Sequence, residues 1–333
     1  MNTFYPEKVN DSKDLFVSMF RYNLEQTVCN IGGIKVGGQP GENPPLLIGN
    51  MFQKGDILLE SRKQSKFDRS EAEKRIREIE RNIKETGIPG MIAMVANTED
   101  EMKTYIDFYI SVTDMPFAID IWMQKTRLAA ARYVADLGIQ ERVLYNSITP
   151  WDEDIESQIS EIKEIGIKHV VIQAFDIEDK GPNGRIKSLK KMLPIVEKGN
   201  FDSIIVDTAA MNLPATAFSL VANHLIKQEF GLPAGFAPAN GTYMWRKAAA
   251  EADKGKFAAI DAGVHAISAL ASDFLFYGPT TGSNRVFPAV AAASSMMAAL
   301  AYSESGILPG GEHPLCLLFP DVVKQFQNEE GEK

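Results

Sequence analysis

Eight short apolar runs recur along the chain, at 46–49, 91–96, 117–121, 142–146, 169–175, 203–207, 234–237 and 273–277. Each is followed by a polar or amphipathic stretch long enough for a helix. Their starts fall roughly 25 to 45 residues apart, the spacing that a strand, a loop and a covering helix require, and none is too short for a parallel crossover. The longest intervals call for an extra loop or helix. A doubly wound open sheet uses the same alternation, but no GxGxxG fingerprint follows the first run. The 333 residues therefore fit one α/β domain, a (β/α)8 TIM barrel over about 44–302. A hairpin segment at 24–43 precedes it and a C-terminal extension at 303–333 follows.

Local signals agree with that plan. VCNIGGIKVGG places Gly32-Gly33 between two short runs able to pair as a hairpin, which would close one end of the barrel. In FDRSEAEKRIREIERNIKETG, Ser70 stands as N-cap and Gly87 as C-terminal stop, with Ile76, Ile79 and Ile83 on one face. WDEDIESQISEIKEIG repeats the arrangement with Ile155, Ile159, Ile162 and Ile165. The extension is punctuated by Gly and Pro and ends in charge, so it should pack on the barrel with mobile last residues.

Composition narrows the function classes. A formal charge of -9 and a pI near 5.2 disfavour nucleic acid, whose phosphates require clustered Lys and Arg. The N-terminal MNTFYPEKVNDSKDLF has no apolar core or cleavage site of a secretory signal, so a cytoplasmic location is expected. The most membrane-like run, FPAVAAASSMMAALAY at 287–302, is shorter than the roughly 20 residues that cross a bilayer, and no membrane insertion is expected. Cys29 and Cys316 form no CxxC pair and read as structural thiols. The four histidines show neither HxH nor HExxH spacing, Lys168 stands at the start of a strand, and no GxSxG turn occurs. Zinc, Schiff-base and serine-hydrolase chemistry therefore lack their parts.

Barrel enzymes carry their reacting groups at the C-terminal ends of the strands. Four apolar runs end there in a polar residue: Asp120, Asn146, Asp207 and Asn240. Two carboxylates and two amides on one rim suit a reduced pterin. Carboxylates match its adjacent ring N–H and exocyclic amino donors, and amides match its mixed carbonyl and N–H edge. Such a site binds no metal directly. Each residue taken singly also fits a structural role, the aspartates as helix caps and the asparagines in βα turns.

Read in order, IGGIKVGGQPGENPPLLIG, FAIDI, RVLYNSI, IIVDTAA, FLFYGP and VFPAVA resemble the H-subunit family of tetrahydromethanopterin S-methyltransferase and its bacterial tetrahydrofolate-dependent relatives. The pattern is more distantly similar to other pterin-binding methyltransferase barrels. The resemblance implies methyl transfer between a ring nitrogen of tetrahydrofolate or tetrahydromethanopterin and the cobalt of a corrinoid (cobalamin). By motif, Asp120, Asn146 and Asp207 would bind the pterin ring and Asn240 would contact the methyl-bearing nitrogen. Asn240 has no useful acid–base pKa, so it would orient that nitrogen while a water held by Asp120 or a neighbour relays the proton. Gln173 and Arg246 are further candidates for contacts to the ring or its acidic tail; Arg246 equally fits a surface salt bridge. No DxHxxG motif is present, which points to a separate corrinoid protein as partner. The family also suggests a homodimer, for which the small-residue stretch at 289–301 offers close packing. Two other readings stay open: a pterin-binding scaffold subunit of a methyltransferase complex, and a dihydropteroate synthase-like enzyme. The latter's usual Arg-x-His anion site is replaced here by Phe274-Leu275-Phe276-Tyr277-Gly278-Pro279.

Overall fold

The computed structural model describes residues 21–250 and 254–331; MNTFYPEKVNDSKDLF and the last two residues lie outside them. The chain opens with an antiparallel hairpin, β1 (Val28–Ile31) and β2 (Ile34–Gly37). Its two-residue turn is Gly32-Gly33, at φ 55° and 93°. Positive φ at both positions is what a tight hairpin matched to strand twist requires, and glycine adopts it without steric penalty.

The first barrel strand is β3 (Leu46–Met51), and the long interval after it holds a small antiparallel pair, β4 (Leu59–Ser61) and β5 (Lys66–Phe67). Seven more strands complete the closed parallel barrel: β6 (Gly90–Val95), β7 (Phe117–Asp120), β8 (Val143–Ile148), β9 (His169–Gln173), β10 (Ser203–Asp207), β11 (Ala234–Phe236) and β12 (Phe274–Pro279), which pairs back with β3. These eight are the eight apolar runs. The interval before β12 holds two helices.

Successive residues on a strand face opposite sides, and both sides are apolar here because the barrel is packed inside and out. Leu46, Ile48, Met91, Ala93, Ala118, Leu144, Val171, Ile205, Phe274 and Phe276 form the inner cluster. Cys29, Ile31 and Val36 of the hairpin join it, and Gly32 and Gly37 press on Pro116 and Pro233, just before β7 and β11. The hairpin thus plugs the N-terminal end of the barrel. The alternate set, including Leu47, Ile92, Ile119, Tyr145, Ile172 and Leu275, packs under the helices.

The outer helices are α1 (Arg69–Thr86), α2 (Glu99–Val112), α3 (Gln124–Asp136), α4 (Ile155–Ile165), α5 (Pro182–Val196), α6 (Thr216–Phe230), α7 (Pro238–Ala250), α8 (Lys254–Ala269) and α9 (Ser283–Ser305). Two short helices follow, α10 (Pro314–Leu318) and α11 (Pro320–Gly331). The N-cap of α1 is Asp68 rather than Ser70: its carboxylate accepts the Glu71 N–H at 3.0 Å, and Gly87 ends the helix at φ 72°. Asp and Ser cap equally well, so local geometry decides between them. The apolar run at 287–302 is the body of α9, which at 23 residues is longer than the run itself. By length and composition alone that helix suffices to cross a membrane, yet half of its apolar window is buried. Val290, Ala291, Ala293 and Ala298 are buried within the chain, so many of its small residues serve packing inside the molecule.

Two buried ion pairs brace the frame. Lys227 donates to both oxygens of Asp273 at 2.7 and 2.8 Å, and Asp273 in turn accepts the Ala234 N–H, tying β11 to β12. Arg75 of α1 meets Asp56 at 2.9 Å, and Asp56 accepts the N–H groups of Phe52 and Leu58 in the loop after β3. Removing one partner of a buried pair strands the other charge and typically destabilises by about 3–5 kcal/mol, whereas replacing both does not. Arg75→Ala should lower the denaturation free energy by about that amount, and Arg75→Met with Asp56→Asn should lower it less, as measured by urea unfolding.

Candidate active site

The alternation that builds the apolar interior also builds the site. Two residues beyond Ile48, Ala118, Leu144, Val171 and Ile205 stand Asn50, Asp120, Asn146, Gln173 and Asp207. With a period of two, all five belong to the interior face, one layer nearer the mouth. Pairing sets them side by side: Asp120 is the register partner of Asn146, and Gln173 that of Asp207. All five line one cavity of about 230 Å³, together with Asn240, Trp122, Trp151 and Arg127. A hollow of about 380 Å³ near residues 39–42 and the end of α9 contains none of the expected side chains.

The two carboxyls are charged groups in an enclosed place. Burial raises Asp120 to about 6, against the opposing pull of Arg127 and a 3.3 Å hydrogen bond from the Asn50 amide. Asp207 is likewise raised to about 6 by burial, with Asp120 adding to the rise, while the 2.7 Å bond from the Ala209 N–H and the Arg185 charge oppose it. Both therefore titrate near neutrality, so each is able to hold or release a proton under ordinary conditions. The side-chain amides of Asn146, Gln173 and Asn240 bond to no other described residue, which leaves their donors and acceptors for a ligand.

Two buried arginines shape the loops that follow the aspartates. Arg127 donates to the carbonyls of Ile121 and Trp122 at 2.8 and 3.2 Å and grips both oxygens of Asp152 at 3.1 and 3.0 Å. Gln158, with its amide turned to satisfy its neighbours, donates to Asp152 and accepts from Arg127 and the Tyr145 hydroxyl. Arg185 donates to the carbonyls of Thr208 and Ala209, the latter at 2.8 Å. These loops leave strand geometry just after the aspartates, and the guanidinium groups satisfy carbonyls that no strand partner could.

Asn240 does not sit on a strand end. β11 stops at Phe236, and Asn240 lies in the first turn of α7, exposed at the cavity edge. Pro238 opens that helix, a position where its missing N–H and fixed φ fit. Asp261 on α8 holds α7 by accepting from Thr242 at 2.6 Å and from Arg285 of α9 at 2.7 Å, while Arg285 also donates to the Tyr243 hydroxyl. Arg246 is not among the cavity-lining residues. Its guanidinium lies over the rings of Tyr243 and Phe257, 5.5 and 5.7 Å from their centroids, so α7 carries it away from the residues it was expected to join. Neither Asp120 nor Asp207 caps a helix; Met123 and Ala215 hold those positions without side-chain bonds. Asp207 does order its own loop through Ala209.

Four further cavity-lining residues come into view only with the fold. Asn50 falls one residue past the apolar run of the first strand, although strand alternation from Leu46 and Ile48 points to it. Trp122 and Trp151 are exposed, stack with centroids 5.9 Å apart and planes 25° from parallel, and line the same cavity. Arg127 looks like any helix arginine until its partners are seen.

A closed (β/α)8 barrel with an amide- and carboxyl-lined pocket at the C-terminal mouth defines a TIM-barrel protein whose polar pocket lies where barrel enzymes carry their reacting groups. The chain belongs to the tetrahydromethanopterin S-methyltransferase MtrH subunit family, whose model matches residues 24–309. It is 32% identical over 320 residues to the tetrahydromethanopterin S-methyltransferase H-subunit of Methanopyrus kandleri, covering 89% of this chain and 98% of that one. It is also 32% identical over 317 residues to the same subunit of Methanocaldococcus jannaschii, with the same coverages. Among solved structures, dihydropteroate synthase of Yersinia pestis superposes with a TM-score of 0.57 at 10% identity, over 82% of this chain and 100% of that one. That likeness is one of fold.

The raised carboxyls have a stability consequence. A carboxyl whose pKa rises on folding favours the folded state fully below its unfolded value, near pH 4, and loses that contribution as pH climbs through about 6. Asp207→Asn should therefore stabilise the chain by about 2–3 kcal/mol at pH 8 and by almost nothing near pH 4, as read from denaturant midpoints at the two values. An equal gain at both would show that charge burial is not the cause.

Proposed function

We propose that this chain transfers a methyl group between a ring nitrogen of tetrahydrofolate, or a related tetrahydropterin, and the cobalt of a corrinoid carried by a partner protein. The observation that carries the reading is the convergence of Asp120, Asn146 and Asp207 on one cavity at the barrel mouth. Ionised carboxylates accept the paired N–H and amino donors of a reduced pterin, and the unbonded amides of Asn146 and Gln173 match its carbonyl and remaining N–H groups. Membership of the MtrH family supports methyl transfer involving a pterin, since its relatives are named as tetrahydromethanopterin S-methyltransferase subunits. β12 reads FLFYGP where a dihydropteroate synthase usually carries Arg-x-His, which favours methyl transfer over that second reading.

In the direction from pterin to cobalt, the N–CH3 bond breaks, its electron pair stays on nitrogen, and a proton must reach that nitrogen. Cobalt supplies the electron pair that receives the methyl group. A water held by Asp120 or a neighbour would relay that proton, and Asn240 at the cavity edge orients the nitrogen as its charge changes. In the opposite direction the free nitrogen attacks methyl-cobalt and the same groups stay unprotonated. Positioning supplies the rest of the rate.

The second reactant comes from outside. A cavity of about 230 Å³ admits a bicyclic head group and not a corrin macrocycle. Around the mouth, Met123, Ile177, Met211 and, on α7, Met244 are exposed, an apolar rim of the kind that marks a contact surface. That rim supports a protein-borne corrinoid and a role for this chain within a multi-subunit assembly.

Mixing the chain with 5-methyltetrahydrofolate and reduced cobalamin should convert the corrinoid spectrum to that of methylcobalamin. Binding of the pterin with no transfer to free or protein-borne corrinoid would favour a pterin-holding subunit instead. Asn240→Ala should slow single-turnover transfer by about a hundredfold or more, the scale of losing one oriented polar contact to developing charge, while changing pterin affinity far less. Equal losses in both would remove Asn240 from the reacting centre. Head-group affinity should also rise as pH increases through about 6, when the two carboxyls become full acceptors, and Asp120→Asn should flatten that dependence.

A further inference from the structure

We propose that Trp122 and Trp151 form a stacking subsite for the aromatic ring that tetrahydrofolate-type substrates carry beside the pterin head. The proposal rests on the pterin reading above and assigns a different part of the same ligand. Trp122 is 76% exposed and Trp151 38% exposed, yet the rings stack on one another and form one wall of the cavity that holds Asp120 and Asn146. Large aromatic surface left in water at the edge of a polar pocket is unfavourable for folding, and a ligand with an aromatic face relieves it.

The pair is built, not incidental. Arg127 bonds the Trp122 carbonyl and grips Asp152, the residue after Trp151, so one buried guanidinium fixes the backbones of both loops. Arg127 and Asp152 are themselves only 2% and 5% exposed in their side chains. Trp122 stands two residues beyond Asp120, and both rings line the same cavity as the carboxyl, within reach of a ring linked to a head group bound there. Stacking on exposed aromatic faces tolerates any flat ring, so this subsite discriminates tailed from tail-less pterins rather than one tail from another.

The test separates head from tail. Under anaerobic conditions, calorimetric titration with 6-methyltetrahydropterin reads the head-group site alone, and titration with tetrahydrofolate reads head and tail together. The parent chain should bind tetrahydrofolate about tenfold more tightly, or about 1.4 kcal/mol. Trp122→Ala and Trp151→Ala should each abolish most of that increment and leave 6-methyltetrahydropterin affinity within about twofold; Trp151→Phe should retain it. An unchanged increment in both alanine variants overturns the subsite, as does equal weakening of the two ligands. An intact increment combined with lost transfer to corrinoid would assign the pair to the corrinoid instead. Failure of the parent chain to bind either tetrahydropterin would overturn the pterin reading itself and the subsite with it.

Discussion

The structure turns on holding two carboxyl groups inside the mouth of a closed, apolar barrel. Ionised carboxylates lose hydration there, and burial accordingly drives both Asp120 and Asp207 to about 6. A chain selected only for stability would extend the apolar stack of Ile48, Ala118, Leu144, Val171 and Ile205 by another layer. This one replaces that layer with Asn50, Asp120, Asn146, Gln173 and Asp207. The unfavourable charge burial is what makes the pocket useful, because both carboxyls sit within reach of either protonation state near neutral pH.

Rigidity around the pocket follows from the same constraint. Side chains that must present fixed acceptors cannot stand on wandering loops, and each aspartate is followed by a loop whose carbonyls are held by a buried arginine. Asn240 is held differently, on a helix anchored through Thr242, Asp261 and Arg285. The hairpin at the far end of the barrel completes the inner core, leaving the opposite mouth as the open end.

Much of this is legible in the sequence because strand periodicity is a strong local signal. All eight barrel strands coincide with apolar runs, Asp120, Asn146 and Asp207 follow from reading which polar residues end them, and Gln173, read as a further candidate near the end of its strand, lines the same cavity. What the sequence does not show depends on geometry between distant segments. The segments that carry Trp122 and Trp151 are joined by an ion pair between residues 25 apart, and Arg127 discloses its role only through that partner. The direction of Arg246 depends on how α7, which carries it and Tyr243, packs against Phe257 of α8. Asn240 belongs to α7 rather than to the strand because Pro238 marks a helix start, a local signal that outweighs the apolar run before it. Asp68 and Ser70 are both good caps, and only the three-dimensional entry of α1 chooses between them.

Everything proposed for this chain requires that the interior layer of carboxyls and amides at the barrel mouth hold a tetrahydropterin head group. A crystal structure of the chain with 5-methyltetrahydrofolate tests it most directly. The expected complex has the head group's N–H and amino groups on Asp120 and Asp207, its mixed edge on Asn146, and the methyl-bearing nitrogen turned toward Asn240 and the open mouth. A head group bound in any other hollow, or one lying at the mouth without contact to either aspartate, would contradict it.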